Sequence, residues 1–387
     1  MPANPTPLDI HRERFQSEGC AFRAPGRVNL IGEHTDTSEG FVMPAALDLG
    51  TLSVISPRND QTATIYSANF DESATFDLTQ SPKAPRQHWS DYAAAVLWSL
   101  AQEGVRPGGF NLTVSGDVPI GSGLSSSASV EVAVAIAVLA MTHTDWEKTR
   151  IARACQRAEN GFIGAQSGIM DPLASCCGVA DHAVLLDCRS LAMEPLPLPS
   201  TAMLVICNSM VKHSVSHGSP YNQRRQEVEE GLEILRRSYP EARTLRDLTE
   251  AQLRAKESEM PAASFRRCLH VITENARVGQ AAAALRAHNL AKFGRLMGEA
   301  HRSMRDNYEA SCKETDLLVE LAMQQPGCFG ARITGGGFGG CTVNLVDATH
   351  GEAFVRAMRS GYQAATGIEA EIYCSRASEG AGPLQAS

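Results

Sequence analysis

Short β-branched and aromatic runs alternate with longer stretches of helical spacing along most of this chain. Thr51–Ser56, Thr62–Tyr66 and Phe110–Val114 predict strands, whereas Trp89–Ala101, Ser127–Met141 and Thr149–Ala158 predict helices. Arg27 to Ile31 alternates polar and apolar in the manner of a half-buried strand, with a turn signal at Pro25-Gly26 before it. Gly32 then allows a sharp turn where that strand ends. Val184–Leu186 is a short apolar run that stops at Asp187, and the proline-punctuated segment Met193–Ser200 is the expected crossover between domains. Beyond it come a strand at Ala202–Cys207 and helices at Tyr221–Ser238, Ser264–His288 and Leu290–Asn307. Strand signals return at Ala331–Thr334 and Cys341–Val346, followed by a helix at Gly351–Thr366 and a last strand near Glu369–Cys374. The small, polar tail from Ser375 onward is expected to fray. There is no internal repeat. The pattern predicts two α+β domains, residues 1–195 and 196–387, because a single core rarely grows past about 250–300 residues.

Composition narrows the function. Hydrophobic residues make up 43% and charged residues 20%, which is ordinary for a soluble globular protein. A net charge of −8 argues against nucleic acid as a partner, since phosphate backbones call for a basic face. The arginine pairs Arg224-Arg225, Arg236-Arg237 and Arg266-Arg267 lie among glutamates in helical segments and are expected to be solvated. The 11 cysteines have no C-x-x-C spacing, which predicts reduced thiols in a cytoplasmic protein. The start, Met1-Pro-Ala-Asn-Pro-Thr-Pro, has no apolar signal core, and no stretch approaches the roughly 18 apolar residues of a membrane helix.

Four clusters could carry chemistry. Arg27 precedes a compact polar group, Glu33, His34 and Asp36, at a strand end; such a group suits a hydroxyl-rich ligand, or is simply a solvated acidic loop. Gly116-Asp-Val-Pro-Ile-Gly-Ser-Gly-Leu-Ser-Ser-Ser-Ala-Ser129 runs from a strand into a helix and offers backbone N–H groups and a helix dipole to an anion. Gly121 and Gly123 permit close approach, and one of Ser125, Ser126 and Ser127 could give Mg²⁺ a hard oxygen. It is neither a Walker-type loop nor a dinucleotide fingerprint; plain serine capping is the alternative. Asp171, between Ile169, Met170 and Leu173, could be a tuned base or the cap of the helix at Pro172. Arg332-Ile-Thr-Gly-Gly-Gly-Phe-Gly-Gly-Cys341 cannot be a strand interior and suits close approach to a bound group or to the other domain.

The order Gly-Arg-Val-Asn-Leu-Ile-Gly-Glu-His-Thr-Asp, then Gly-Ser-Gly-Leu-Ser-Ser-Ser-Ala-Ser, then Thr-Gly-Gly-Gly-Phe-Gly-Gly-Cys resembles the GHMP small-molecule kinases, and among them the galactokinases. Gly168-Ile-Met-Asp171 and Asp181-His-Ala-Val-Leu-Leu-Asp-Cys-Arg189 are similar as well, so the resemblance spans about residues 20 to 375. It implies a two-domain GHMP-kinase fold of mixed sheets and helices, with the active site in the cleft between domains. It also implies a sugar kinase that uses ATP and Mg²⁺ to phosphorylate the C1 hydroxyl of D-galactose.

The resemblance implies roles position by position. Asp171 would be the general base and Arg27 would stabilise the transferring phosphoryl group. Glu33, His34, Thr35, Asp36, Gly168 and Tyr221 would bind the sugar. Gly121, Ser122, Gly123, Leu124, Ser125, Ser126 and Ser127 would wrap the ATP phosphates, Ser67 would touch the nucleotide, and Ser127 and Glu159 would hold Mg²⁺. The glycines from Gly335 to Gly340 would close the site. Two departures from the family stand out: Thr37-Ser38 replaces the usual Tyr-Asn, removing an aromatic wall near the sugar, and Pro172 replaces Gln. A kinase of N-acetylgalactosamine or arabinose, and a non-catalytic sugar and ATP sensor, are the alternatives. Oligomeric state is open, with a monomer as the default.

Overall fold

The computed structural model describes residues 5–211 and 220–384; Met1 to Asn4, within the proline-rich start, lie outside it. Its strands in chain order are β1 (Cys20–Asn29), β2 (Phe41–Val42), β3 (Pro44–Pro57), β4 (Thr62–Ser67), β5 (Glu72–Asp77), β6 (Phe110–Gly116) and β7 (His182–Asp187). They continue as β8 (Met193–Pro197), β9 (Ala202–Asn208), β10 (Cys328–Thr334), β11 (Cys341–Asp347), β12 (Glu371–Ser375) and β13 (Gly382–Pro383). A six-stranded sheet runs β13-β1-β3-β6-β4-β5, a four-stranded sheet runs β10-β11-β9-β12, and β2-β7-β8 form a third. Pairing is antiparallel throughout except for β4 with β6.

The helix Ser126–Met141 lies on β1 and β3, and almost every residue from Ala128 to Leu139 is buried. Alanine and valine dominate this segment, so the helix can be enclosed on nearly all sides, with Glu131 and Ser129, which donates to the Ala24 carbonyl at 2.9 Å, as its buried polar residues. A separate apolar cluster joins the halves: Val28, Leu30 and Leu124 pack with Ile206, Val278 and Val343. The two predicted domains therefore meet through a shared core, which fixes the cleft between them.

Several sequence expectations need correction. Pro25-Gly26 is not a turn but a bulge inside β1, where the register against β3 shifts between Pro25 and Arg27. That strand is not half-buried: Arg27, Val28 and Asn29 are all enclosed, because the glycine loop of the second half covers its polar side. Met193–Pro197 is an edge strand paired with β7 rather than a bare crossover; Pro195 and Pro197 are tolerated because an edge strand need not donate on its outer side. The long helix expected over Leu290–Asn307 stops at Ser303 and continues as a wider π turn, Met304–Tyr308.

The arginine pairs also differ from expectation. Arg236 and Arg237 are exposed, but Arg267 is fully enclosed, donating to Glu227 at 2.7 Å and Glu309 at 2.7 Å. Arg224 donates to the carbonyl of Tyr308 at 2.9 Å. Buried guanidinium groups need such partners because an isolated charge in the interior is costly.

The tail from Ser375 does not fray as far as Leu384. Phe22 pairs with Pro383 and Arg23 with Gly382 in antiparallel register. Ser378 N–H donates to the Ala46 carbonyl at 2.9 Å, Ala381 N–H to Ser175 at 2.8 Å and Leu384 N–H to Ala21 at 2.9 Å. Small residues are required here, since Ala377 and Ala381 are each only 6% exposed against the first half. Truncation after Arg376 should lower stability by roughly 2–5 kcal/mol, as several backbone hydrogen bonds of about 1 kcal/mol each are lost. A denaturant midpoint equal to that of the full chain would refute this.

Candidate active site

Gly26 brings β1 against the serine loop. A Cβ there would lie 2.8 Å from the Leu124 carbonyl, and Arg27 N–H donates to that same carbonyl at 3.1 Å. The Arg27 side chain, 5% exposed, then grips Asp171 with both arms of its fork, Nε to Oδ1 at 2.8 Å and Nη2 to Oδ2 at 2.6 Å. Its third arm, Nη1, donates to the Gly123 carbonyl at 2.6 Å. Burial opposes the charge on Arg27, but Asp171 and Glu33 outweigh it and raise its pKa. The planar fork explains why arginine and not lysine can hold this geometry.

Asp171 is not the cap of its helix. Helix Met170–Cys177 begins at Ile169 without a side-chain cap, and Asp171 sits in its first turn facing the cleft. Ser125 Oγ donates to its Oδ2. The serine run is no cap either: Ser125 has left-handed backbone (φ 59°) and makes no capping bond, so its hydroxyl is free for Asp171. Two residues along, Ser127 Oγ donates to Glu159 Oε1 at 3.1 Å, and Ser167 Oγ to Glu159 Oε2 at 2.7 Å. Burial, with the charge of Asp171, pushes the Glu159 carboxyl up, although the two serine hydroxyls oppose the shift.

The polar cluster at the end of β1 is arranged around the same arginine. Gly32 (φ 99°) turns the chain as expected. The Glu33 carboxylate accepts the Gly335 N–H at 2.7 Å and lies 3.5 Å from the fully buried Arg332; burial raises its pKa against the pull of Arg332 and Arg27. His34 adopts φ 61° and stacks on Tyr308, with ring centroids 4.2 Å apart. Burial and neighbouring His270 hold its imidazole neutral, and its Nε2 has no hydrogen-bond partner among the described residues. Asp36 is pushed up by burial and by the nearby Asp171. Gly168 presses against the Asp36 carboxylate so closely that no side chain could stand there. Tyr221, in the first turn of helix Pro220–Arg236, tilts toward His34 at 5.6 Å between centroids.

These groups line a cavity of about 700 Å³ reached from both halves. Arg27, Glu33, His34, Asp36, Gly168, Asp171 and Tyr221 surround one end, and Gly121, Gly123, Ser125, Ser126, Ser127 and Glu159 its middle. The far end holds Ser67 with apolar Phe70, Trp89 and Ile120. Three expected residues do not reach it. Thr35 is fully buried and donates its hydroxyl to the carbonyls of Gly32 and Phe41, bracing the turn. Ser122 donates to the Pro119 carbonyl, and the Leu124 side chain is in the core, so both shape the loop from behind.

The second glycine loop meets the first. A Cβ on Gly335 (φ 82°) would fall 2.6 Å from the Gly123 carbonyl, and one on Gly340 2.7 Å from that of Ser122. This loop packs against the first half of the chain, and Gly335, Gly336, Gly337, Gly339 and Gly340 also line the cavity. Sequence reasoning missed Tyr308, His270, Arg332 and Ser167. Arg332 carried a signal, being the one cation beside a glycine loop; the stacking of Tyr308 on His34 had none.

The donor set can be tested against Mg²⁺. No group of three or more His, Cys, Asp or Glu side chains is placed to hold a metal among the described residues. Yet a hydroxyl and a carboxylate 3.1 Å apart beside an anion loop suit a cation that takes most of its ligands from phosphates and water.

The chain is similar to known proteins along most of its length. The galactokinase galactose-binding signature matches residues 9–57, the GHMP kinases N terminal domain residues 91–179 and the GHMP kinases C terminal domain residues 281–364. A galactokinase of Roseiflexus sp. (strain RS-1) is 43% identical over 96% of this chain and 96% of its own length. One from Chloroflexus aurantiacus is 43% identical over 94% of this chain and 93% of its own. The structure of Lactococcus lactis galactokinase complexed with galactose superposes with a TM-score of 0.93 at 34% identity, covering 97% of this chain and 98% of that one. Methanococcus jannaschii mevalonate kinase, 17% identical with a TM-score of 0.67 over 94% of this chain and 99% of its own, shares the fold.

Gly335→Ala should force the two glycine loops apart. A left-handed alanine costs about 1–2 kcal/mol before any clash, so kcat/KM for sugar phosphorylation should fall about tenfold or more. Unchanged steady-state kinetics would show that the loop contact is dispensable.

Proposed function

Since the chain belongs to the galactokinase family and is therefore a sugar kinase, we propose that it transfers the γ-phosphoryl group of ATP to the C1 hydroxyl of D-galactose. The observation that carries this reading is the bidentate Arg27–Asp171 pair at 2.6–2.8 Å, beside a glycine and serine loop opening a helix. The ATP phosphates lie along Gly121 to Ser127, and the base rests at the apolar end among Phe70, Trp89 and Ile120, near Ser67. Galactose occupies the end formed by Glu33, His34, Asp36, Gly168 and Tyr221. Residues 1–195 and 196–387 act as the two lobes.

The proton path follows from lone-pair accounting. A carboxylate offers about four acceptor positions. Asp171 gives one on Oδ1 to Arg27 Nε and two on Oδ2 to Arg27 Nη2 and Ser125. One position on Oδ1 remains, and it takes the proton of the sugar hydroxyl. The hydroxyl oxygen then bonds to the γ-phosphorus as the bond to the β-phosphate bridging oxygen breaks, releasing ADP. Phosphoryl transfer asks mainly for positioning and charge neutralisation. Arg27 supplies a fixed positive charge between base and phosphate loop. Ser127 and Glu159 would hold Mg²⁺, which supplies charge neutralisation on the nucleotide phosphates when bound.

Sugar recognition rests on groups held in place by burial and by their neighbours. Neutral His34 offers its unpartnered Nε2 to a hydroxyl, and Glu33 is locked by Gly335 so that its remaining lone pairs point one way. A wrong epimer leaves one such group unpaired, at roughly 1–3 kcal/mol.

Incubation of the protein with ATP, Mg²⁺ and galactose should release ADP well above a sugar-free control; release no greater than that control would refute the reading. In a sugar panel, galactose should give the highest kcat/KM, and preference for N-acetylgalactosamine or arabinose would reassign the substrate. Asp171→Asn should lower kcat by about 10²–10⁴-fold while calorimetric galactose affinity stays within severalfold. Turnover at the parent rate would remove Asp171 from the role of base.

A further inference from the structure

A second cavity of about 350 Å³ lies behind the wall of the sugar end, and the proposed reaction makes no use of it. Asp36, Ser167 and Gly168 line both spaces, and the tight seat of Gly168 on Asp36 keeps them apart. Three guanidinium groups, Arg153, Arg189 and Arg225, face this chamber, against the carboxylates Asp36 and Glu39. Glu39 is already taken by Arg189 at 2.7 Å. Arg153, on the exposed side of helix Lys148–Ala158, has no ion-pair partner among the described residues. Arg225 reaches Glu229 at 3.2 Å, yet its Nε is buried with no acceptor among the described residues. A buried donor without a partner points to an acceptor yet to be accounted for.

Thr37 also lines the chamber. It stands where this family usually has tyrosine, and a phenol ring there would occupy much of the space that threonine leaves open.

We propose that this chamber is a regulatory site for a dianionic phosphate group, bound by Arg153 and Arg225. Forked guanidinium groups match phosphate oxygens in bidentate geometry, and the volume admits a phosphate or a small phosphate monoester. Arg225 is the link to function. Arg225 and Asp36 both line the chamber, and the positive charge of Arg225 favours the ionised Asp36 carboxylate. Phosphate drawing Arg225 toward itself weakens the Asp36 grip, so the KM for sugar rises while kcat stays level.

The probe is inorganic phosphate, against sodium chloride at matched ionic strength, with saturating ADP to fill the serine loop. The parent protein should show a saturable rise in Tm of about 2 °C or more, and both Arg153→Ala and Thr37→Tyr should lose it. Arg153 is exposed and outside the reaction site, so its variant should fold and keep the parent activity without phosphate. With the sugar turned over best, phosphate should raise KM at least threefold in the parent and leave Arg153→Ala unmoved. No shift under ADP, or an equal shift in Arg153→Ala, overturns the proposal. The thermal measurement stands whichever sugar is the substrate, so its failure is distinct from failure of the galactose assignment.

Discussion

One buried guanidinium organises the cleft. Arg27 sits among Glu33, Asp36 and Asp171, and each of these carboxylates would be costly to enclose without it. Removing the positive charge leaves uncompensated negative charges, at about 3–5 kcal/mol for a broken buried pair. The reverse dependence also holds, because Arg27 is itself enclosed and survives only through its carboxylates and the Gly123 carbonyl. Stability and the proposed chemistry thus draw on the same contacts.

The second half of the chain contributes by backbone more than by side chain. Gly335 and Gly340 lie against the carbonyls of Gly123 and Ser122, and the Gly335 N–H fixes Glu33. Arg332 adds a buried positive charge at 3.5 Å from Glu33. The cleft is therefore closed by main-chain atoms that need glycine to come so near, while the side chains that line the ligand space come chiefly from the first half. The returning tail adds a further tie, since β13 adds its two residues to the edge of the sheet that holds β1.

Much of this was legible in the residues. Strand and helix positions followed from periodicity, and Gly351–Thr366 matches its helix to the residue. The errors share a cause. Pro25-Gly26 reads locally as a turn, and only pairing with β3 converts it into a bulge. Residues from Ser375 onward read as frayed because small polar residues carry no apolar pattern, yet those are the residues that fit a narrow groove. Arg267 looks solvated from its local sequence, and only the fold shows that Glu227 and Glu309, both distant along the chain, enclose it.

The sequence by itself determined the candidate chemistry: a cation ahead of Glu33, His34 and Asp36, a glycine and serine loop entering a helix, and a carboxylate at Asp171. These are local facts, set by residue type and spacing within a dozen positions. Tertiary structure alone decided which of them face each other. It put Arg27 on Asp171, took Thr35, Ser122 and Leu124 out of the cavity, and brought Tyr308 to His34. Contacts of that kind depend on long-range packing and on burial of charge, and neither quantity exists until the halves of the chain have come together.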